Sequence, residues 1–313
     1  MVSGEFLISS VAAGTPRCGV GGVCETAHVS LTTAPASHDP ARDFPELAPY
    51  ARTVVRLHPR RGVPGPRGSH LGGPMLWPAA EPWPRCGEHE EPMAAVAQLT
   101  TADFPEIRFP DGTDVVQLLW CPDWHDQPHP EGWGQACRLF WRRAAEVTGL
   151  LTEQPRSEDP DPDMVPRPCV LHPERLTEYP CVQELPAGPA RRYEAWLAER
   201  NLPDDVSAIP GYKLGGSMTW GVTDRPERLE CEACRAPLEL FLQFDTSEYG
   251  LGSWGPEGTP DRFWPLEERG LEPHTDACWA ALEPTGMTIG RGGHAGLFVC
   301  SADPRHPASH FTQ

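Results

Sequence analysis

Part of this sequence is written twice. Residues 69–99, SHLGGPMLWPAAEPWPRCGEHEEPMAAVAQL, and residues 212–244, YKLGGSMTWGVTDRPERLECEACRAPLELFLQF, share Leu-Gly-Gly-x-Met-x-Trp, from Leu71 to Trp77 and from Leu214 to Trp220. Cys86 is followed by His89, Pro92 and Gln98, and Cys231 by Cys234, Pro237 and Gln243, at the same offsets. The two halves also end alike. DVVQLLWCPDWH, residues 114–125, runs an apolar stretch into Cys121 with His125 four positions on, and HAGLFVCSADPRH, residues 294–306, runs one into Cys300 with His306 six positions on. A unit repeated over this length must be built twice, so two related copies are the expected architecture.

The repeated unit reads as β structure. In LELFLQF, Leu238, Leu240, Leu242 and Phe244 alternate with Glu239, Phe241 and Gln243, and MAAVAQL keeps the same phase from Met93 to Leu99. The 38 Pro and 30 Gly disfavour a helical bundle. The expected fold is therefore mainly β (α+β): two pseudo-symmetric β-rich lobes with few short helices. Residues 1–44 are expected to be a disordered extension, 45–150 the first lobe, 151–188 an acidic, Pro-rich linker and loop, and 189–313 the second lobe. One helix is legible in PARRYEAWLAERN, residues 189–201, where Pro189 opens the first turn and Tyr193, Trp196 and Leu197 share a face. The Gly-, Pro- and Trp-rich stretch from Gly250 to Thr275 reads as a long loop.

Charge narrows the partners. The formal net charge of −18 repels phosphates, so nucleic acid and anionic membranes are disfavoured and a basic protein or peptide is electrostatically allowed. No apolar run approaches the ~20 residues of a membrane-spanning helix. The N-terminal MVSGEFLISSVAAGTPRC has no basic residue ahead of its apolar stretch and makes a poor signal peptide. Eleven Cys, an odd number in a chain of this size, fit reduced thiols in the cytoplasm.

The repeat also pairs potential metal ligands. Cys231 and Cys234 join Cys300 and His306 in the second lobe, and Cys86 and His89 join Cys121 and His125 in the first. Each set places two donors on a turn before one strand and two at and beyond the end of another, an arrangement that structural zinc uses. With four protein ligands no open position is left for an activated water, so zinc here would be structural rather than catalytic. Two other readings stand beside it: the Cys side chains as small buried hydrophobes, and a redox pair, which is disfavoured because the pair precedes a strand and not a helix. Gln98 and Gln243 are candidates for binding an extended peptide backbone in a groove shared by the lobes, or for ordinary cross-strand contacts. Trp77 and Trp220 are candidates for partner contact or packing. His172 and Cys181 lie close enough in sequence to suggest a nucleophile pair, and nothing else supports one. G-x-S-x-G, H-E-x-x-H, Walker and dinucleotide fingerprints are all absent, so no catalytic residue is assigned.

LGGPMLWP with its Pro-x5-Gln strand, and KLGGSMTWG followed by CEACRAPLELFLQF and GLFVC, resemble the YwqG-like family, a domain of unknown function. The second half also resembles the programmed-cell-death-protein-2 group of eukaryotes. The resemblance spans roughly residues 45–310. It implies a two-lobed, β-rich fold and, for the eukaryotic group, chaperone-like binding of a newly made ribosomal protein. This chain departs from that group's pattern in having His89 in place of a second Cys, and Cys300 with His306 in place of a Cys pair. The expected function is a non-enzymatic protein- or peptide-binding module with structural zinc, gripping a basic or extended peptide. The alternatives are an enzyme with an inter-lobe His/carboxylate cleft and an immunity-type protein that neutralises a toxin.

Overall fold

The computed structural model describes residues 30–35, 40–123, 125, 136–202, 208–249 and 263–313. Twelve strands build the described part. The first half supplies β1 (Arg52–Arg56), β2 (Arg60–Arg61), β3 (His70–Leu71), β4 (Ala94–Thr100), β5 (Val115–Trp120) and β6 (Cys137–Arg142). β7 (Cys169–Val170) and β8 (Glu174–Glu178) follow, then β9 (Lys213–Gly215), β10 (Leu238–Asp245), β11 (His294–Cys300) and β12 (Ser309–Thr312). The helices are short: α1 (Pro40–Asp43), α2 (Ala187–Glu199) and α3 (Asp276–Leu282). The fold is mainly β, as the repeat and composition predict.

The strands form two six-stranded antiparallel sheets, ordered β2-β7-β3-β4-β5-β6 and β8-β1-β9-β10-β11-β12. Read in that order, each position of one sheet has a counterpart in the other. The repeat thus produces β3-β4-β5-β6 and β9-β10-β11-β12, and each block is extended by two further strands. One strand of each extension is crossed. β1 comes from the first half yet pairs with β9, while β7 pairs with β3. Residues 151–188, expected as linker and loop, therefore give one strand to each sheet: Cys169 and Val170 are short enough to look like loop, and ERLTE is too charged to stand out as a strand.

β4 and β10 are not regularly alternating strands. Each carries a β-bulge at the same place in the repeat, between Ala95 and Ala97 and between Leu240 and Leu242. A bulge inserts one residue and moves the side chains beyond it to the other face. Met93 and Ala95 consequently pack on the outer face with Met75, Trp77 and Leu119, while Val96, Ala97 and Leu99 face inward. In the second copy Leu238 and Leu240 pack outward with Met218, Trp220 and Phe298, and Phe241, Leu242 and Phe244 turn inward.

The inward faces share one core. Leu71, Val96, Leu99, Val116, Leu118 and Trp120 of the first sheet meet Val55, Leu214, Leu242, Phe244, Ala295 and Leu297 of the second in a single buried cluster. Trp120 and Phe244 touch across it with ring centroids 5.3 Å apart. Each outer face is covered by its own Gly-Gly-x-Met-x-Trp loop. The first loop is held by Gln98, whose Oε1 accepts from Leu76 N at 2.7 Å and whose Nε2 donates to the Pro66 and Gly68 carbonyls. Gly216 shows why Gly stands there: at φ 79° a Cβ would lie 1.9 Å from Glu178 Oε2. α2 buries Tyr193, Trp196 and Leu197 against Leu47 and Leu185, as its sequence predicts.

Residues 30–35 are docked rather than disordered. Leu31 is buried, and Thr33 donates from N and Oγ1 to Glu174 at 2.6–3.1 Å and accepts from buried Arg56. Thr33 thereby joins a buried ionic group, in which Arg56 pairs with Glu248 and His58 bridges Glu248 and Glu174 at 2.6 and 3.1 Å. Residues 1–29 of the expected extension, and 250–262 of the expected long loop, lie outside the described residues.

Candidate metal centres

Two Cys/His clusters form, at the predicted residues. Each begins with a knuckle, a tight turn that the repeat encodes twice. Cys86 N donates to Glu91 O and Glu90 N to Cys86 O; Cys231 N donates to Ala236 O and Arg235 N to Cys231 O, all at 2.8–3.1 Å. Arg85 bridges to Pro92, and Glu230 to Pro237. Glu90 and Arg235, one position past the second donor, both take the left-handed conformation, at φ 56° and 64°. The turn presents its two donors toward the end of the neighbouring strand. There β5 delivers Cys121, and β11 delivers Cys300, which pairs with Leu238.

In the first cluster Cys86 Sγ lies 3.6 Å from His125 Nε2, and His89 Nδ1 lies 3.2 Å from Cys121 Sγ. In the second, Cys231 Sγ is 3.6 Å from His306 Nδ1, and Cys234 Sγ is 3.4 Å from Cys300 Sγ. Within each cluster all four donor atoms lie within 4.8 Å of one another. A tetrahedral zinc site with bonds of about 2.0–2.3 Å requires donor separations of about 3.3–3.8 Å. Both groups could hold a metal ion such as zinc.

The surroundings of the clusters differ. Glu88 Oε2 sits 2.8 Å from His125 Nδ1, which leaves Nε2 to face Cys86. A carboxylate behind a ligand His fixes its ring and tautomer and strengthens it as a donor. The repeat could not reveal Glu88, because its counterpart in the second knuckle is Ala233. Burial pushes the Cys121 thiol up to about 12, so a cation is needed to draw out its thiolate. Burial acts the same way on Cys300, but the backbone N–H groups of Asp303 and Ala302, with His306, outweigh it and hold the thiol at about 6. Cys86, Cys121, Cys231 and Cys300 are buried, and Cys234 alone of the donors is exposed.

The remaining candidates are placed elsewhere. Gln98 and Gln243 are buried in the repeat, not in a groove between lobes. The Gln98 amide is spent on its own loop and on Gln117, and Gln243 Nε2 donates to Gly211 O at 3.1 Å. Trp77 is fully buried and gives its Nε1 proton to Glu81 O. Cys181 Sγ faces Met218 O at 3.4 Å, and burial pushes its thiol up to about 11, an environment unsuited to a nucleophile. Trp220 lines a groove of about 1020 Å³ together with Gln183, Val222, His294, Gln313 and the turn Gly290–Gly293. Among the described residues no carboxylate side chain lines this groove. Among the described residues no helix is long and apolar enough to cross a membrane. Neither the family models nor the curated proteins compared with this chain match it.

Proposed function

We propose that this chain is a non-enzymatic, chaperone-like module that binds a protein or an extended peptide, and that zinc at both clusters serves its structure. The composition of the groove carries this reading. Trp, Gln, Gly and Arg291 line it, a lining suited to apolar contact and backbone hydrogen bonds, and among the described residues no Asp or Glu lines it; Asp245, the partner of His294 across β10 and β11, lies outside the lining, where burial raises its carboxyl. His58, which bridges the Glu248 and Glu174 carboxylates, is itself fully buried. Zinc in either cluster would find four protein donors and keep no position for substrate. It would tie a knuckle to a strand end, and so each loop-covered outer face to its sheet.

Two measurements test the reading. Untagged protein is expected to carry two zinc ions per chain by elemental analysis, with Cys86→Ser and Cys231→Ser each losing one. Zinc near zero in the parent would remove the metal assignment. Affinity capture at low salt is expected to retain a specific protein that elutes as ionic strength rises, since a net charge of −18 favours basic partners and salt screens that attraction. Capture of nothing specific would overturn the binding role.

A further inference from the structure

The two clusters occupy equivalent places in the repeat but differ in the exposure of their sulfurs. In the first, Cys86 and Cys121 are the two thiols, and both are buried. The second donor of that knuckle is His89, whose ring lies 4.6 Å from that of His125. In the second cluster a third thiol, Cys234, stands at the position of His89. Cys234 is exposed, and of the nine cysteines among the described residues it alone is. Its Sγ lies 3.4 Å from that of buried Cys300, so two sulfurs from different elements, the knuckle and the end of β11, are in contact. This is not the Cys-x2-Cys pair of the sequence but a pair that the fold assembles.

Oxidation of a sulfur by a hydroperoxide needs a thiolate that the oxidant can reach. It stays reversible when a second thiol lies beside the first and captures the sulfenic acid as a disulfide. A Cys that ligates metal is held as the thiolate. Cys234 supplies the exposed sulfur and Cys300 the adjacent one. We infer that Cys234 is a site of oxidation by hydroperoxide, that Cys300 is its resolving partner, and that the disulfide they form empties the second zinc site while the first stays loaded. The inference rests on the reading of both clusters as zinc sites and adds a regulation that one of them carries.

With hydrogen peroxide the steps balance as follows. The Cys234 sulfur gives an electron pair to one peroxide oxygen; an S–O bond forms, the O–O bond breaks, and the other oxygen leaves as hydroxide. The Cys300 thiolate then attacks the Cys234 sulfur; the S–S bond forms, the S–O bond breaks, and a second hydroxide leaves. Two electrons pass from the sulfurs to the peroxide, and the two hydroxides take protons from solvent. Cys231 and His306 remain, 3.6 Å apart, two donors where structural zinc takes four. The disulfide joins the knuckle to the end of β11, the two elements that the four donors span, so the fold is expected to survive the exchange.

The probe is hydrogen peroxide, added to the full-length, zinc-loaded chain beside a chromogenic zinc chelator. One of the two zinc ions per chain is expected to be released beyond what the chelator alone removes. A Cys234–Cys300 disulfide is expected to appear in step with it, read by tandem mass spectrometry, and a reducing thiol with added zinc is expected to restore the site. Near-UV circular dichroism is expected to hold throughout. Cys234→His gives the second cluster the donor set of the first; it is expected to keep both zinc ions and to slow release by peroxide at least tenfold. Retention of both ions under peroxide, loss of both at one rate, or a disulfide joining any other pair overturns the inference. Release from zinc-loaded Cys234→His at the parent rate overturns it as well. The disulfide is mapped in the parent, so it decides the matter even where Cys234→His holds one zinc. A parent without zinc that still forms the Cys234–Cys300 disulfide would refute the metal reading and keep Cys234 as an oxidation site. Zinc in both clusters with no disulfide would do the reverse.

Discussion

His70 and Lys213 occupy the same position in the two copies and meet the same demand by different chemistry. Each supplies a proton to a loop carbonyl four residues on: His70 Nε2 to Pro74 O at 3.1 Å, and Lys213 Nζ to Ser217 O at 2.7 Å. His70 Nδ1 accepts from Gly73 N, so its ring is neutral with the proton on Nε2. Lys213, the one Lys in the chain, carries a charge into the interior and needs Glu178 at 2.5 Å to do so. Burial depresses His70 to about 4, against a smaller opposing effect of its bond to Pro74 O. The folded value lies below the unfolded value near 6.5. The unfolded chain therefore takes up the proton first as pH falls. The stability tied to neutral His70 is complete above about 6.5 and is lost as pH falls toward 4, about 3 kcal/mol in all. Asn can accept from Gly73 N and donate to Pro74 O without titrating. His70→Asn is expected to lose less stability than the parent between pH 7 and 4.5, as read from urea midpoints. Equal loss in the two proteins would show that His70 does not titrate in this window.

At the scale of the element, the knuckle is the best-specified turn in the molecule and also a strained one. Glu90 and Arg235 hold left-handed backbone, which costs an L-residue about 1–2 kcal/mol and costs Gly almost nothing sterically. Both side chains are exposed. Arg235→Gly is therefore expected to raise stability by about 1 kcal/mol and leave metal content unchanged, whereas Arg235→Val lowers stability; urea unfolding and elemental analysis check both. The knuckles were legible because fixed offsets after Cys86 and Cys231 survive in the sequence, and so were all eight donors. The bulges were not. Both faces of β10 are covered, so Leu238, Leu240, Leu242 and Phe244 are all apolar whichever face they take, and only the apolar Phe241 between them hinted at a change of phase. Gln98 and Gln243 were open to two readings, groove binding or cross-strand contact, and Gln98 makes the second, to Gln117 across β4 and β5. A polar side chain in a strand reads as solvent-facing until a loop that needs its hydrogen bonds is seen lying over it. β7 is two residues long and β8 is mostly charged; their places are set by what they pair with, which local sequence does not record.

At the scale of the molecule, the two sheets share one core, and one flanking strand of each, β7 and β1, is exchanged between the halves of the chain. Val55 of β1 is buried beside Leu214 and Leu242 of the second copy, while Cys169 lies beside Leu71 of the first. Urea unfolding is expected to give one transition, coincident by tryptophan fluorescence and far-UV circular dichroism, in both the parent and Cys231→Ser. Two resolved transitions would mean that the sheets unfold independently. Crossing the strands also imposes an order on synthesis. β1 leaves the ribosome early, but its neighbours are β8 and β9, so at ordinary elongation rates it waits on the order of ten seconds for Glu174–Glu178 to appear. The sheet of the first copy lacks β7 until Val170 is made, and that of the second copy takes β1 from the first half. Neither half of the chain can therefore finish its own sheet.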